Sequence, residues 1–168
     1  GQGGMQPAGS VRANAQGKFA FPKDAAGTFL LQTTFDGVTY SHMLQPGAPT
    51  AGLAIEVFNA SKKPGAARIG HHFLVFQPAR GQMTVSEGYI FSNTGQTTYH
   101  DPEAGTLRFF LPPEAKGIVQ VSVTAPNGMP LQREAEKTGK ANVFKVDFPI
   151  KPGETRFELT YIVPYQDR

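Results

Sequence analysis

Two adjacent histidines, His71 and His72, and one acid set in an apolar stretch, Glu87, are the residues of this 168-residue chain best suited by type to chemistry. Imidazole and carboxylate together could move a proton or hold a divalent ion. Neighbouring residues on a strand, however, point to opposite faces, so His71 and His72 cannot both ligate one ion from a regular strand. A metal site would need His42 or His100 from another strand, together with a carboxylate. Glu87 shares a period-two register with Met83, Val85, Tyr89 and Phe91, a face on which an unpaired carboxylate is costly. A bulge at Gly88, pairing with an arginine such as Arg108, or use as a buried acid or base would each account for it.

Other catalytic signatures are missing. There is no G-x-S-x-G elbow, and Ser86-Glu87 falls in mid-strand. No two acids stand at a spacing that singles out a glycosidase pair. Gly1 to Gly4 neither follow a strand nor open a helix, so they make no phosphate loop. The chain has no cysteine, which removes disulfides, thiolate metal sites, thiol nucleophiles and iron–sulfur clusters together. The expectation is a protein that is not an enzyme, with no catalytic residue, no metal ligand and no cofactor. A metal-assisted hydrolase using His71 or His72 with Glu87 is the alternative from the enzyme class.

Aromatic residues offer a binding chemistry instead. Tyr40, Tyr99 and Tyr165 are expected near strand ends or turns, where a ring can stack on a sugar, although tryptophan is absent. Tyr40, Tyr99 and His100 are the candidate ligand-binding residues. The net charge of +3 comes from sixteen scattered Lys and Arg, with Lys62-Lys63 the densest run. That pattern lacks the basic stripe of a nucleic-acid binder. No apolar run approaches the ~20 residues of a membrane span. No export signal is visible, and Gly1-Gln2-Gly3-Gly4 has the look of a cloning scar or a processed end, which leaves room for a trimmed signal or anchor.

Thirteen Phe, five Tyr, nineteen Gly and fourteen Pro favour many short strands joined by turns. Residues 1–17 have little apolar content and read as loosely ordered. Phe19 and Phe21 alternate, and Pro22 to Gly27 turn the chain. Thr28–Thr34 and Val38–Leu44 form a hairpin about Asp36-Gly37. Leu53, Ile55 and Val57 alternate, and Ser61 to Gly65 turn. Ile69–Gln77 and Met83–Ser92 pair around Pro78 to Gly81. Further alternating sets are Leu107 to Leu111, Val119 to Val123, Phe144 to Ile150 and Phe157 to Val163. Arg133–Gly139 has helix-forming composition without an apolar stripe and reads as an exposed loop or single turn. The fold class is all-β, an antiparallel β-sandwich of immunoglobulin or transthyretin-like type. Two small sandwiches in tandem are expected, split at the Pro- and Gly-rich 45–50 stretch into domains of residues 1–48 and 49–168.

The run Asn14-Ala15-Gln16-Gly17-Lys18-Phe19-Ala20-Phe21 resembles the turn motif of carboxypeptidase regulatory-like domains, which have a carbohydrate-binding-like fold. The likeness extends over about residues 11–45, through Gly27-Thr28-Phe29-Leu30-Leu31 and Gly37-Val38-Thr39-Tyr40. Gly17 would take a positive φ, Asn14 would cap the turn, and Phe19 and Phe21 would return to the core. The family's opening strands would lie before Gly1, so the first sandwich is expected to be truncated or completed by another edge. The remainder, including Val85-Ser86-Glu87 and Thr106 to Pro112, looks like a second sandwich of bacterial envelope type. The resemblance implies a non-catalytic binding or structural module, periplasmic or on the cell surface, with a protein or glycan partner at the envelope. A carbohydrate-binding module is the second reading.

Overall fold

Alternation of apolar and polar side chains along the chain is the pattern of a half-buried strand, and in the computed structural model several of the twelve strands among the described residues carry it. The strands are β1 (Phe29–Phe35), β2 (Val38–Leu44), β3 (Asn59–Ser61), β4 (Ala67–Ala79), β5 (Gln82–Asn93) and β6 (Thr97–Tyr99), followed by β7 (Leu107–Phe110), β8 (Gln120–Thr124), β9 (Leu131–Glu134), β10 (Glu136–Lys137), β11 (Val143–Val146) and β12 (Gly153–Pro164). The structure describes residues 7–22, 27–115 and 119–166. The fold is all-β, and the described residues contain no helix. The turn expected between Pro22 and Gly27 falls largely outside the described residues, as do residues 1–6 of the loosely ordered start, while residues 7–17 are exposed and form no strand.

Two compact units are found. One comprises residues 1–32 and 41–55, the other residues 33–40 and 56–168. Their division therefore runs through the first hairpin and then between Ile55 and Glu56, where the sequence suggested a break at 45–50. The described residues of the first unit contain no buried side chain. A first sandwich with its own core is not formed by them. The Asn14 turn does form: the Asn14 side-chain oxygen accepts the backbone N–H groups of Gln16 and Lys18, and Gly17 has φ 74°. Phe19 and Phe21 meet edge to face, but Phe21 is exposed rather than returned to a core.

The hairpin of β1 and β2 turns through Asp36 at φ 48° and Gly37 at φ 74°. Two positive φ angles make the type I′ geometry that Asp-Gly favours. In the second unit, five strands lie in the order β4-β5-β12-β8-β9 and three in the order β10-β11-β7, all antiparallel. β3 and β6 form a short parallel pair, an exception to the antiparallel expectation. The segment read as an exposed loop or single turn at 133–139 supplies the end of β9 and all of β10 instead. Pairing with β8 and β11 overrides its local composition. Leu53, Ile55 and Val57, expected as a strand, belong to none.

One apolar cluster joins the inner faces of the two larger sheets. Val85, Tyr89 and Phe91 from β5, Val121 and Val123 from β8, and Phe157, Leu159 and Tyr161 from β12 meet Leu107 and Phe109 from β7 and Val146 from β11. This is sandwich-type packing, with alternate residues of each strand turned inward. Phe157 is fully buried and takes edge-to-face contacts from Phe91 and Phe148 at centroid distances of 5.6 and 6.1 Å. Truncating it leaves a cavity the neighbours cannot fill. Phe157→Ala is expected to destabilise the fold by about 3–5 kcal/mol in urea unfolding.

Candidate functional site

β4 and β5 are joined by a two-residue turn, Arg80-Gly81, with Gly81 at φ 78°. Their pairing puts His72 opposite Tyr89, Phe73 opposite Gly88 and Leu74 opposite Glu87. Side chains of opposed residues share a face, so His72, Leu74, Glu87 and Tyr89 all lie on the inward side. There the Glu87 carboxylate is 6% exposed. Its Oε1 accepts from His72 Nε2 at 2.7 Å and from the Tyr89 hydroxyl. The His72 ring stacks flat on Tyr89 at 4.3 Å between centroids.

Glu87 is therefore reconciled with its apolar face by a histidine and a tyrosine. The bulge expected at Gly88 is absent. The register shift lies on β4, between Ile69 and His71. Arg108 is also not the partner; its Nε donates to the Ala104 carbonyl. Gly88 has a different role, since a Cβ there would fall 2.1 Å from the Phe73 ring. Phe73 lies over the glycine on the outward face. His71 pairs opposite Ile90 and so faces away from His72, as adjacency on a strand requires.

The cluster holds a carboxylate, an imidazole and a phenol, while Ser86 is on the opposite face, where its hydroxyl lies 3.4 Å from that of Thr160. Burial, and next the hydrogen bond to Glu87, push the Tyr89 phenol well above its ordinary value. Tyr161, raised first by burial and then by Glu87, follows the same direction. Among the described residues, no three His, Cys, Asp or Glu side chains are grouped to hold a metal ion.

The remaining feature of this region is the open side of β4. It is the outermost strand of its sheet, and every residue from Arg68 to Ala79 is exposed. Phe73, Leu74, Val75 and Phe76 form an uninterrupted apolar run, with Phe76 58% exposed. Pro78 stands opposite Met83. Proline has no N–H to give a neighbouring strand, so its backbone polar side must face away from β5. Period two then turns the backbone N–H and C=O groups of His72, Leu74 and Phe76 the same way, out of the sheet's free edge.

The residues expected to bind a ligand lie elsewhere in the second unit. Tyr40 sits within β2 rather than at its end and is buried. Its hydroxyl bonds the Phe58 carbonyl and the Thr98 hydroxyl, at 2.9 and 3.0 Å. Its ring face is taken by the Lys151 ammonium at 4.6 Å. Tyr99 is half-buried on β6, and its phenol is pushed up by burial first, with Asp101 adding to the rise and Arg108 opposing it. His100 Nε2 stands 3.2 Å from Asp147 Oδ1. Thr98 brings Tyr40 beside the β6 strand, but Tyr99 points to the other face of that strand. Among the described residues, His100 forms no metal-holding group with His72.

No protein-family model matches the chain, and neither a curated protein nor a solved structure is similar enough to count as a match. The regulatory-like resemblance thus rests on the sequence of about residues 11–45 alone.

The raised phenol has a measurable consequence. In the unfolded chain Tyr89 ionises near its ordinary value of 10.0, whereas in the folded protein it keeps its proton. The contribution is fully present below that value and is lost as pH rises through and beyond it. Unfolding free energy should therefore fall more steeply in the wild type than in Tyr89→Phe between about pH 10 and about pH 11, by up to ~1.4 kcal/mol per pH unit.

Proposed function

We propose that this protein is a non-catalytic binding module that takes up an extended protein segment as an added strand along β4. The observation that carries the reading is the long apolar run of β4 combined with its free row of backbone donors and acceptors. Strand addition draws affinity from main-chain hydrogen bonds and specificity from side chains on alternate positions. Folded proteins ordinarily blunt such edges with lysines, prolines or bulges. Here the central stretch from His71 to Gln77 carries no lysine and no acid.

The Glu87 cluster supports the same reading. It ties β4 to β5 through a side-chain hydrogen bond in addition to the ladder, so the edge is held ready before a partner arrives. The wider setting we propose is the bacterial envelope, periplasmic or cell-surface, and its support is the likeness of the Asn14 turn to carboxypeptidase regulatory-like domains. No long apolar helix capable of crossing a membrane occurs among the described residues.

Peptides of about seven residues with alternating apolar side chains, selected for binding to the whole chain, supply the test. Leu74→Pro removes an N–H that faces the free edge, as Pro78 already does, and leaves the β5 ladder intact. Selected peptides should bind this variant at least ten-fold more weakly, with far-ultraviolet circular dichroism unchanged. Leu131→Lys, on the opposite edge strand β9, should leave their affinity as it is. Peptides that bind Leu74→Pro as well as wild type would overturn the reading.

A further inference from the structure

The free edge of β4 has an internal symmetry that selects a particular occupant. The ladder is disturbed at two places, the register shift that leaves Gly70 unpaired and the missing donor of Pro78. Both lie four residues from Leu74, one on each side. Between them runs His71-His72-Phe73-Leu74-Val75-Phe76-Gln77, the stretch free to pair.

We propose that a second copy of this chain adds to that edge, β4 against β4, antiparallel about a two-fold axis at Leu74. This rests on the strand-addition reading above and names its partner. His72, Leu74 and Phe76 direct their backbone groups outward, so only registers that oppose these residues to one another form hydrogen-bonded pairs. Centring the axis on Phe73 would bring the Gly70 irregularity opposite Phe76. Centring it on Val75 would set Pro78 opposite His72 and lose a bond. With Leu74 at the axis both disturbances fall outside the paired window, and about six inter-strand hydrogen bonds form.

Side-chain chemistry agrees with this register. On the inward face Leu74 meets its own copy and His72 meets Phe76. On the outward face Phe73 meets Val75, a cross-strand pairing of an aromatic with a β-branched residue, which is among the favourable ones. No acid or lysine is placed in the window. Arg68 and Arg80 come opposite one another only at the exposed ends, where salt screens their repulsion.

The area sets the strength. The four apolar residues from Phe73 to Phe76 are between 41% and 58% exposed, and present on the order of 350 Å² per copy from typical side-chain areas. With the neighbouring His and Gln side chains and the edge backbone, the total approaches the ~1,200 Å² at which specific interfaces begin. The dimer is accordingly a weak one, dissociating on dilution through the micromolar range.

Because the chain has no cysteine, one introduced thiol reports the register directly. In a hydrogen-bonded antiparallel pair the two Leu74 Cα atoms would be about 5.5 Å apart, within disulfide reach, whereas the two Phe76 Cα atoms would be roughly 14 Å apart. Under mild oxidation Leu74→Cys should give a covalent dimer and Phe76→Cys should stay monomeric. Sedimentation of the unmodified chain from about 1 µM to about 500 µM should show a concentration-dependent dimer. Leu74→Lys, which sets two ammonium groups face to face at the axis, should abolish it, and Leu131→Lys should not.

A chain that is monomeric throughout, or equal cross-linking of both cysteine variants, overturns the proposal. If the chain stays monomeric while selected peptides still bind in a Leu74→Pro-sensitive way, strand addition stands and the second copy is the wrong occupant. If both assays are silent, both readings fail.

Discussion

Three long strands, β4, β5 and β12, run 13, 12 and 12 residues, while the facing sheet is built from strands of 4, 4 and 2 residues. At about 3.3 Å per residue the first set reaches ~40 Å and the second no more than ~13 Å. A short layer can cover the inner face of only part of a long one. The core is accordingly drawn from β5, β12 and β8, where Val85, Phe157, Leu159, Val121 and Val123 are all but inaccessible. Apart from its first residue Ala67, β4 lies outside this core, and its inward side chains Leu74 and Phe76 stay exposed as its outward ones do. The exposed edge follows from the size mismatch between layers.

A strand left uncovered on both faces has little burial to hold it in place, since hydrophobic stabilisation scales with the area removed from water. β4 keeps its place through twelve paired positions along β5 and through side chains that reach across the pair. Phe73 fills the space above Gly88. His72 stacks on Tyr89 and bonds Glu87. The buried carboxylate has a reason in these terms. A buried acid must be compensated by donors, and its two donors sit on the strand pair that most needs fastening. Removing either donor would leave the charge short of a partner and loosen the edge together.

Much of this was readable from the chain. Strict alternation marked β5, β7, β8, β11 and β12 because each has one face in the core, and Asp36-Gly37 marked its turn because few residue pairs tolerate two positive φ angles. β9 and β10 escaped notice because their side chains are largely exposed, so no alternation records them; only their neighbours β8 and β11 make them strands. Phe21 misled for the opposite reason, since an apolar residue two places after another need not face a core. Glu87 was legible as an anomaly, and the reading that set it beside His71 or His72 named one partner without saying which histidine; Tyr89 was not foreseen. His72 lies fifteen residues away and reaches it only through the hairpin register, which the β4 irregularity near Gly70 shifts by one. The tyrosines were sought as platforms at strand ends, and Tyr40 instead spends its hydroxyl on the Phe58 backbone and Thr98.

The free edge was legible in part as well. The run Phe73-Leu74-Val75-Phe76 breaks the alternation of a half-buried strand, and an unbroken apolar run ordinarily signals burial on both faces. Among the described residues β4 has a neighbouring strand on one side only, so the signal and the environment disagree. One way such a disagreement resolves is a further strand on the open side, which gives the apolar run the central position its composition describes. The outward row of His72, Leu74 and Phe76 backbone groups provides the ladder for that strand, and the breaks at Gly70 and Pro78 set its length. An edge protected only at its two ends limits how much partner can pair without preventing pairing, which suits a contact of defined extent better than indefinite sheet growth.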